Sequence, residues 1–394
     1  MAEELSHRAP LAAEDLAATL QPFGQSRMLP RQAYLDDAVL RWERQHFFDG
    51  SWVCAGRSDR LAAPGAQTAV RLGSTSVLLT RDADGARHAL ANICRHRGHE
   101  LLACGAAASG GVIRCPYHGW SYELDGSLHL APGFGADGLD REASSLARIT
   151  ATEWAGWVFV DVNGTAGPLP EHLGSLARLV EPWDCERLVV AATHRYELRA
   201  NWKLVIENYH ECYHCPMIHP ELCRVSPSHS GHNYRDEPGA WIGGEMELAA
   251  GAETMSLDGR SAGDPLRGLD DHQRRHVLYV QLFPNLLLSL HPDYVMTHRL
   301  EPVTATTTHV ECQWLFPPGV TSRSGFDPSY AVEFWDLVNR QDWRAIESVQ
   351  RSMESPKFTP GSLGPSEDAV YQFVTMVAAG YLGGPLVPGS TDGP

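Results

Sequence analysis

The sequence predicts an α+β protein, an all-β domain followed by a domain that mixes helices with an antiparallel sheet. Three observations carry this. Residues 52–162 have a texture of short alternating runs separated by Gly and Asp turns. Residues 277–316 hold strand-like runs joined at Pro284-Asn285, Pro292-Asp293 and Glu301-Pro302, and residues 329–353 form the longest helical pattern. At 394 residues the chain has room for two or three domains and a sizeable core.

Residues 12–48 read as short helices punctuated by Pro22 and Pro30. The expected organisation is an N-terminal helical segment (1–48) packing on the second domain, a β domain (49–163) and a C-terminal domain (164–394). Within the β domain, Ser76–Thr80, Ala89–Ile93 and Trp157–Asp161 are strand candidates, and Asp84-Gly85 is a turn. The run Asn163-Gly164-Thr165-Ala166-Gly167-Pro168 reads as a linker. A short helix near 171–181 and a strand over 193–200 follow. A helix is then expected over 201–214, limited by Pro216 and Pro220. In 309–316, Val310, Cys312, Trp314 and Phe316 alternate with Glu311 and Gln313, the pattern of a half-buried antiparallel strand.

The chain carries 32 Lys plus Arg against 48 Asp plus Glu, a formal charge of −16. Such a surface repels polyphosphate and anionic lipid, so nucleic acid and membrane surfaces are excluded as main partners. No apolar run of about 18 residues predicts a transmembrane helix. Met1–Leu5 opens acidic rather than with a basic-then-apolar secretory pattern, and a cytoplasmic location is expected. Nine cysteines, not spaced as a disulfide framework, are expected to be packed, reactive or metal-bound. Cys104 in particular reads as a small buried residue.

Two constellations carry chemistry. In the first, Cys94-Arg95-His96 is followed, after eighteen intervening residues, by Cys115-Pro116-Tyr117-His118. Each half pairs a thiolate with an imidazole on a tight loop, ending in Gly98 and Gly119. Four such ligands can hold tetrahedral zinc, or a [2Fe–2S] cluster with Cys on one iron and His on the other. Zinc fingers usually pair Cys with Cys and His with His, whereas each loop here mixes the two within a β domain.

The second constellation lies in the segment from Asn201 to Pro220. Helical spacing would put Glu207, Glu211 and His214 on one face, and His219 would come from the chain leaving the helix. Two imidazoles and one carboxylate make the facial triad of non-haem Fe(II) oxygenases, with open positions for O2 and substrate. Asp342 falls inside the apolar stripe of the 329–353 helix, where a carboxylate needs a cation partner. Asp336 and Glu347 fall off the stripe and read as solvated. Other readings stay open: His210 in place of His214, Glu211 as a ligand or as an orienting group, and redox or zinc use of Cys212-x2-Cys215.

Taken together, these residues resemble the catalytic α subunit of the Rieske non-haem iron oxygenases over nearly the whole chain. The resemblance rests on the loops at 94–96 and 115–118, on Glu211-x2-His214-x4-His219, and on Asp342. It implies a Rieske domain followed by a helix-grip catalytic domain. Cys94, His96, Cys115 and His118 would hold the [2Fe–2S] cluster, with Tyr117 donating its hydroxyl to a cluster sulfur. His214, His219 and Asp342 would hold a mononuclear Fe(II). It also implies a homotrimer, in which Glu211, with Asn208 beside it, relays electrons from a neighbour's cluster. Glu at 211, where ring-dihydroxylating members mostly have Asp, resembles the branch acting on carnitine, glycine betaine and related ammonium compounds.

The sequence has no GxGxxG after a strand and no flavin motif, so an NAD(P)H-dependent flavin/iron–sulfur reductase, with or without a ferredoxin, must supply electrons. The leading expectation is a monooxygenase that hydroxylates an N-methyl group of glycine betaine, carnitine, choline or a proline betaine. An aromatic-ring dioxygenase is the enzymatic alternative. A Rieske electron carrier with a binding module and a zinc-stabilised binding protein are the others. Tyr209, Trp241, Phe283, Tyr294 and Trp314 are the candidate pocket aromatics for an ammonium group.

Overall fold

The computed structural model describes residues 7–135 and 138–391. Residues 1–6, which carry the acidic opening, lie outside this range. The chain divides into two compact units: residues 44–166, and the residues up to Glu43 together with those from Gly167 onward. Among the described residues no helix is long and apolar enough to cross a membrane.

The first unit is all β. Its strands are β1 (Trp52–Arg57), β2 (Ala66–Leu72), β3 (Thr75–Arg81), β4 (Arg87–Ala91), β5 (Ala107–Ser109), β6 (Val112–Arg114), β7 (Ser121–Glu123), β8 (Leu128–Leu130), β9 (Arg148–Trp154) and β10 (Trp157–Asp161). Seven form one sheet in the order β1-β10-β9-β4-β3-β2-β5, and β6-β7-β8 form a second. Ala69, Leu78, Leu90, Ile113, Tyr122 and Leu128 fill the core, and both Cys94 and Cys115 are part of it.

The second unit is built on one antiparallel sheet. Its strands are β11 (Val189–Leu198), β12 (His232–Asn233), β13 (Trp241–Glu247), β14 (His276–Leu282), β15 (Leu286–Leu290), β16 (Val295–Thr304) and β17 (Thr307–Phe316), in the order β11-β17-β16-β15-β14-β13-β12. Helices α1 (Asp37–Glu43), α2 (Trp202–Tyr209), α3 (Ser329–Met353) and α4 (Asp368–Tyr381) belong to the same unit. β15 reads Leu-Leu-Leu-Ser-Leu because the strand is buried on both faces.

Two sequence expectations are corrected here. The 309–316 strand is not half-buried: Glu311 and Gln313 are as enclosed as their apolar neighbours, and Glu311 is neutralised by Arg195 (2.9 Å) and Arg299 (3.5 Å). Asp336 and Glu347 are bonded rather than merely solvated. Asp336 accepts from Tyr196 (2.6 Å) and Arg340 (2.7 Å), and Glu347 accepts the Arg199 N–H (3.1 Å).

α1 is tied to α2 by a buried ion pair. Lys203 Nζ lies 2.6 Å from Glu43 Oε1, and neither side chain reaches solvent. Trp202 Nε1 donates to Glu43 Oε2 (2.8 Å), and the Tyr381 hydroxyl at the end of α4 donates to Oε1. Asn201 caps α2 by accepting the Lys203 N–H (3.0 Å), while its amide donates to Ala305 O (2.7 Å).

Candidate metal centres and the active-site cavity

The two Cys/His loops of the β unit close in the same way. Gly98 N–H donates to Cys94 O (2.9 Å) and Gly119 N–H to Cys115 O (3.2 Å). Both glycines sit in the left-handed region, at φ +73° and +75°, where a Cβ would be strained. Cys94 and Cys115 are buried, His96 is half-buried and His118 is exposed, with the two imidazole rings 4.7 Å apart. Trp120 stacks on His96 at 5.0 Å. Two inner thiols and two outer imidazoles fit a cluster with one thiolate iron and one imidazole iron.

The hydroxyl near sulfur belongs to Tyr122, not Tyr117. Tyr122 Oη lies 3.2 Å from Cys94 Sγ and accepts the Arg95 N–H (3.0 Å), whereas Tyr117 is 55% exposed and packs against His118. Alternation on β7 sends Tyr122 inward, while the loop turns Tyr117 outward. Cys104, expected to be buried, is exposed and lies 3.0 Å from Ser76 Oγ.

The second centre is assembled from a turn and a helix. His214 Nε2 and His219 Nε2 are 3.2 Å apart, and Asp342 Oδ1 lies 2.7 Å from His219 Nε2 and 3.3 Å from His214 Nε2. An octahedral metal with bonds of about 2.1 Å holds adjacent donors roughly 3 Å apart, so these atoms fit one face of such a site. Burial would raise the Asp342 carboxyl, but the hydrogen bonds to His214 and His219 outweigh it and hold it below its ordinary value. The outer nitrogens are also held: His219 Nδ1 by Gln341 Oε1 (2.7 Å), and His214 Nδ1 by the Glu211 carboxylate.

The local backbone differs from the expected helix over 201–214. α2 ends at Tyr209, and a short new helix runs over Cys215–Ile218. Glu211 Oε2 takes the backbone N–H groups of Tyr213 (2.6 Å) and His214 (3.1 Å), which competes with helical hydrogen bonding. Pro216 lacks an N–H and suits the first turn of the new helix rather than the middle of an old one. Glu207 therefore shares no face with His214, and it instead accepts from buried Tyr34 (2.8 Å). The turn also brings the Cys212 and Cys215 Cα atoms to 4.9 Å, and the two are joined as a disulfide. The expectation of unpaired cysteines is corrected at this pair.

A cavity of about 430 Å³ is lined by His214, His219 and Asp342. α2 contributes Val205, Asn208 and Tyr209 to its wall. α3 contributes Trp335, Val338, Asn339, Asp342 and Trp343, one helical face. From the sheet come Leu287 and His298, directly opposite in register, and Tyr279 on the same face. His298 Nε2 meets Asn339 Oδ1 (3.2 Å), and burial lowers its pKa to about 4, so the imidazole is neutral.

Of the five candidate aromatics only Tyr209 lines this cavity. Trp241, Phe283, Tyr294 and Trp314 are core residues. Trp241 Nε1 donates to Pro238 O (3.0 Å), Phe283 packs on Trp202, Tyr294 donates to Met255 O (2.9 Å), and Trp314 packs on His194. His210 is buried beside the cavity and outside the donor cluster, and burial lowers its pKa to about 4. Tyr279, His298, Trp335 and Trp343 are not among the sequence candidates. Trp335 and Trp343 could have been found, since they stand seven before and one after Asp342 on one helix.

Comparison with known proteins decides the family. The model of the ring hydroxylating alpha subunit (catalytic domain) matches residues 185–383, and that of the Rieske [2Fe-2S] domain matches residues 51–146. The chain belongs to the ring-hydroxylating alpha subunits. It is a Rieske non-haem iron oxygenase with a [2Fe–2S] cluster and a mononuclear iron, and its fold class is the expected one. The electron-carrier and zinc-protein readings are set aside. The glycine betaine monooxygenase oxygenase subunit of Pseudomonas aeruginosa (strain UCBPP-PA14) is 29% identical over 88% of this chain and 86% of its own. The carnitine monooxygenase oxygenase subunit of Acinetobacter baumannii is 36% identical over 48% of this chain and 52% of its own. The crystal structure of the quaternary ammonium Rieske monooxygenase CntA with L-carnitine superposes with a TM-score of 0.75 at 25% identity, covering 94% of this chain and 99% of that one. As an oxygenase subunit of a multicomponent system, the chain depends on a reductase for electrons.

Proposed function

We propose that this oxygenase hydroxylates a carbon bonded to the nitrogen of a quaternary ammonium compound of the glycine betaine, carnitine, choline or proline-betaine type. The cavity wall carries the proposal. It presents the side chains of Tyr209, Tyr279, Trp335 and Trp343 and the carboxylates of Glu211 and Asp342, with neither Lys nor Arg among its described residues. Ammonium methyl groups offer no hydrogen-bond handle and are recognised by aromatic faces and negative charge. The buried hydroxyl of Tyr279, which has no hydrogen-bond partner among the described residues, can donate to an acceptor elsewhere on the substrate. The names of the glycine betaine and carnitine relatives support the same class.

In this reading Cys94 and Cys115 hold one cluster iron, His96 and His118 the other, and His214, His219 and Asp342 the mononuclear iron. Iron bound there supplies O2 activation. The chain's own residues hold the imidazoles in one tautomer, through Gln341 and Glu211, and enclose the substrate among aromatic rings. Glu211 is the electron relay between subunits of a homotrimer, and a cytoplasmic NAD(P)H-dependent flavin/iron–sulfur reductase feeds the cluster. Glu211→Gln is expected to keep the fold and both centres but to slow single-turnover cluster oxidation about 10- to 100-fold. Wild-type rates in that stopped-flow measurement would remove Glu211 from the path.

Oxygen uptake with NADH and a surrogate reductase, run over methylated ammonium compounds and aromatic acids, tests the substrate class. Hydroxylation of an N-methyl carbon yields a carbinolamine that collapses to formaldehyde and the demethylated amine. Formaldehyde equimolar with NADH oxidised is the expected result. A cis-diol or phenol from an aromatic acid, with no turnover of any ammonium compound, would establish the dioxygenase alternative.

A further inference from the structure

A second group of metal-ligating side chains lies on the β12–β13–β14 edge of the catalytic sheet, and it shares no residue with the iron ligands. His232 on β12 is the direct cross-strand partner of Glu245 on β13. His276, at the start of β14, faces Glu247, so the two-residue period puts it on the same sheet face as Glu245 and His232. His272 stands four residues before His276 across a tight turn, and the two rings stack at 3.8 Å. The ligand atoms of Glu245, His272 and His276 all lie within 4.8 Å of one another. His272 Nε2 is 2.7 Å and His232 Nε2 3.5 Å from Glu245 Oε1.

We infer that His272, His276 and Glu245, with His232 as the fourth ligand, form a binding site for a divalent transition-metal ion of the zinc type. The spacing His-x3-His with a third ligand from a neighbouring strand is a common zinc arrangement, and the donor set of imidazoles plus one carboxylate suits that ion over calcium or magnesium. The supporting contacts are those of a ligand shell. His276 Nδ1 donates to His272 O (2.8 Å), which fixes the tautomer and leaves Nε2 for a metal, and Tyr234 Oη donates to Glu245 Oε2 (3.1 Å). Glu245 is 6% exposed, and the groups hydrogen-bonded to its carboxylate are an imidazole and a phenol. A buried carboxylate so placed gains a full counter-charge when a cation enters. The exposed His272 and His232 give the ion a path from solvent.

The test uses the holoenzyme, with cluster and mononuclear iron loaded, dialysed against buffered Zn2+ alone. Zinc and iron per chain are then measured on the same samples. One zinc per chain is expected in addition to the full iron content, with imidazole and carboxylate ligands in its X-ray absorption spectrum. The double variant His272→Ala/His276→Ala, altered at an accessible turn, should lose that zinc while keeping its iron and cluster spectrum. Asp342→Ala should still bind it, which separates this site from the iron site. Zinc that enters only by displacing iron, no zinc uptake at all, or an additional zinc that survives in the double variant would each overturn the assignment. None of these readouts depends on which substrate the enzyme oxidises.

Discussion

Asp342→Ala is expected to strip the mononuclear iron and abolish turnover while the cluster's visible and EPR spectra persist. Asp342 is the sole carboxylate in the His214–His219–Asp342 cluster, and its Oδ1 stands within 3.3 Å of both imidazole donor atoms. Without it two monodentate imidazoles remain, with no anionic ligand to offset the charge of a divalent iron. Substitutions outside a metal's own ligands already lower affinity or activity by roughly 10- to 100-fold, so loss of a ligand should exceed about 100-fold in turnover. Iron per chain and substrate-dependent O2 uptake are the measurements. A variant with full iron and full activity would place the third ligand elsewhere.

Lys203→Met should be the most destabilising single change outside the metal centres. Lys203 is one of only two lysines in the chain, and its partner Glu43 is equally buried. Removing the ammonium leaves Glu43 with the Trp202 and Tyr381 donors but no counter-charge. Breaking a buried pair from one side costs about 3–5 kcal/mol, and in a unit of this size that lowers the unfolding midpoint by roughly 10 °C. The double change Lys203→Met/Glu43→Gln should recover part of the loss, because the stranded charge is then gone. An unchanged midpoint in the single variant, followed by calorimetry or circular dichroism, would show that the pair contributes nothing net.

Both groups of donor side chains that the structure brings together were legible in the sequence because their signal is residue type at fixed spacing. Cys94-x-His96, Cys115-x2-His118 and the pair His214 and His219 announce themselves without knowledge of the backbone. Asp342 was legible for a different reason: a carboxylate inside an apolar helical stripe needs a partner. What could not be read depended on local backbone competition and on long-range register. The break of α2 at Tyr209 comes from the Glu211 side chain taking two backbone N–H groups, and a pattern of apolar residues cannot register that. Tyr122 was missed as the sulfur's neighbour because only the pleat of β7 points it at Cys94, while Tyr117 stands closer in sequence. The cavity aromatics were mostly misjudged because an inward side chain on a strand faces either the core or the cavity. Tyr279 and Trp314 differ in that respect only through which helix or strand covers them.

Glu43 and its partners also set a timetable. The carboxylate precedes Lys203 by 160 residues and Tyr381 by 338, with the whole β unit in between. At a synthesis rate of about 5–20 residues per second, the nascent chain waits roughly 20 to 70 s between making Glu43 and making Tyr381. All of residues 44–166 are made in that interval, so the β unit can close on the ribosome while α1 is still hydrated and unpaired. The segment that carries Glu43 is therefore made before any of its buried partners, and the full set of them exists only once the C-terminal helix has been made.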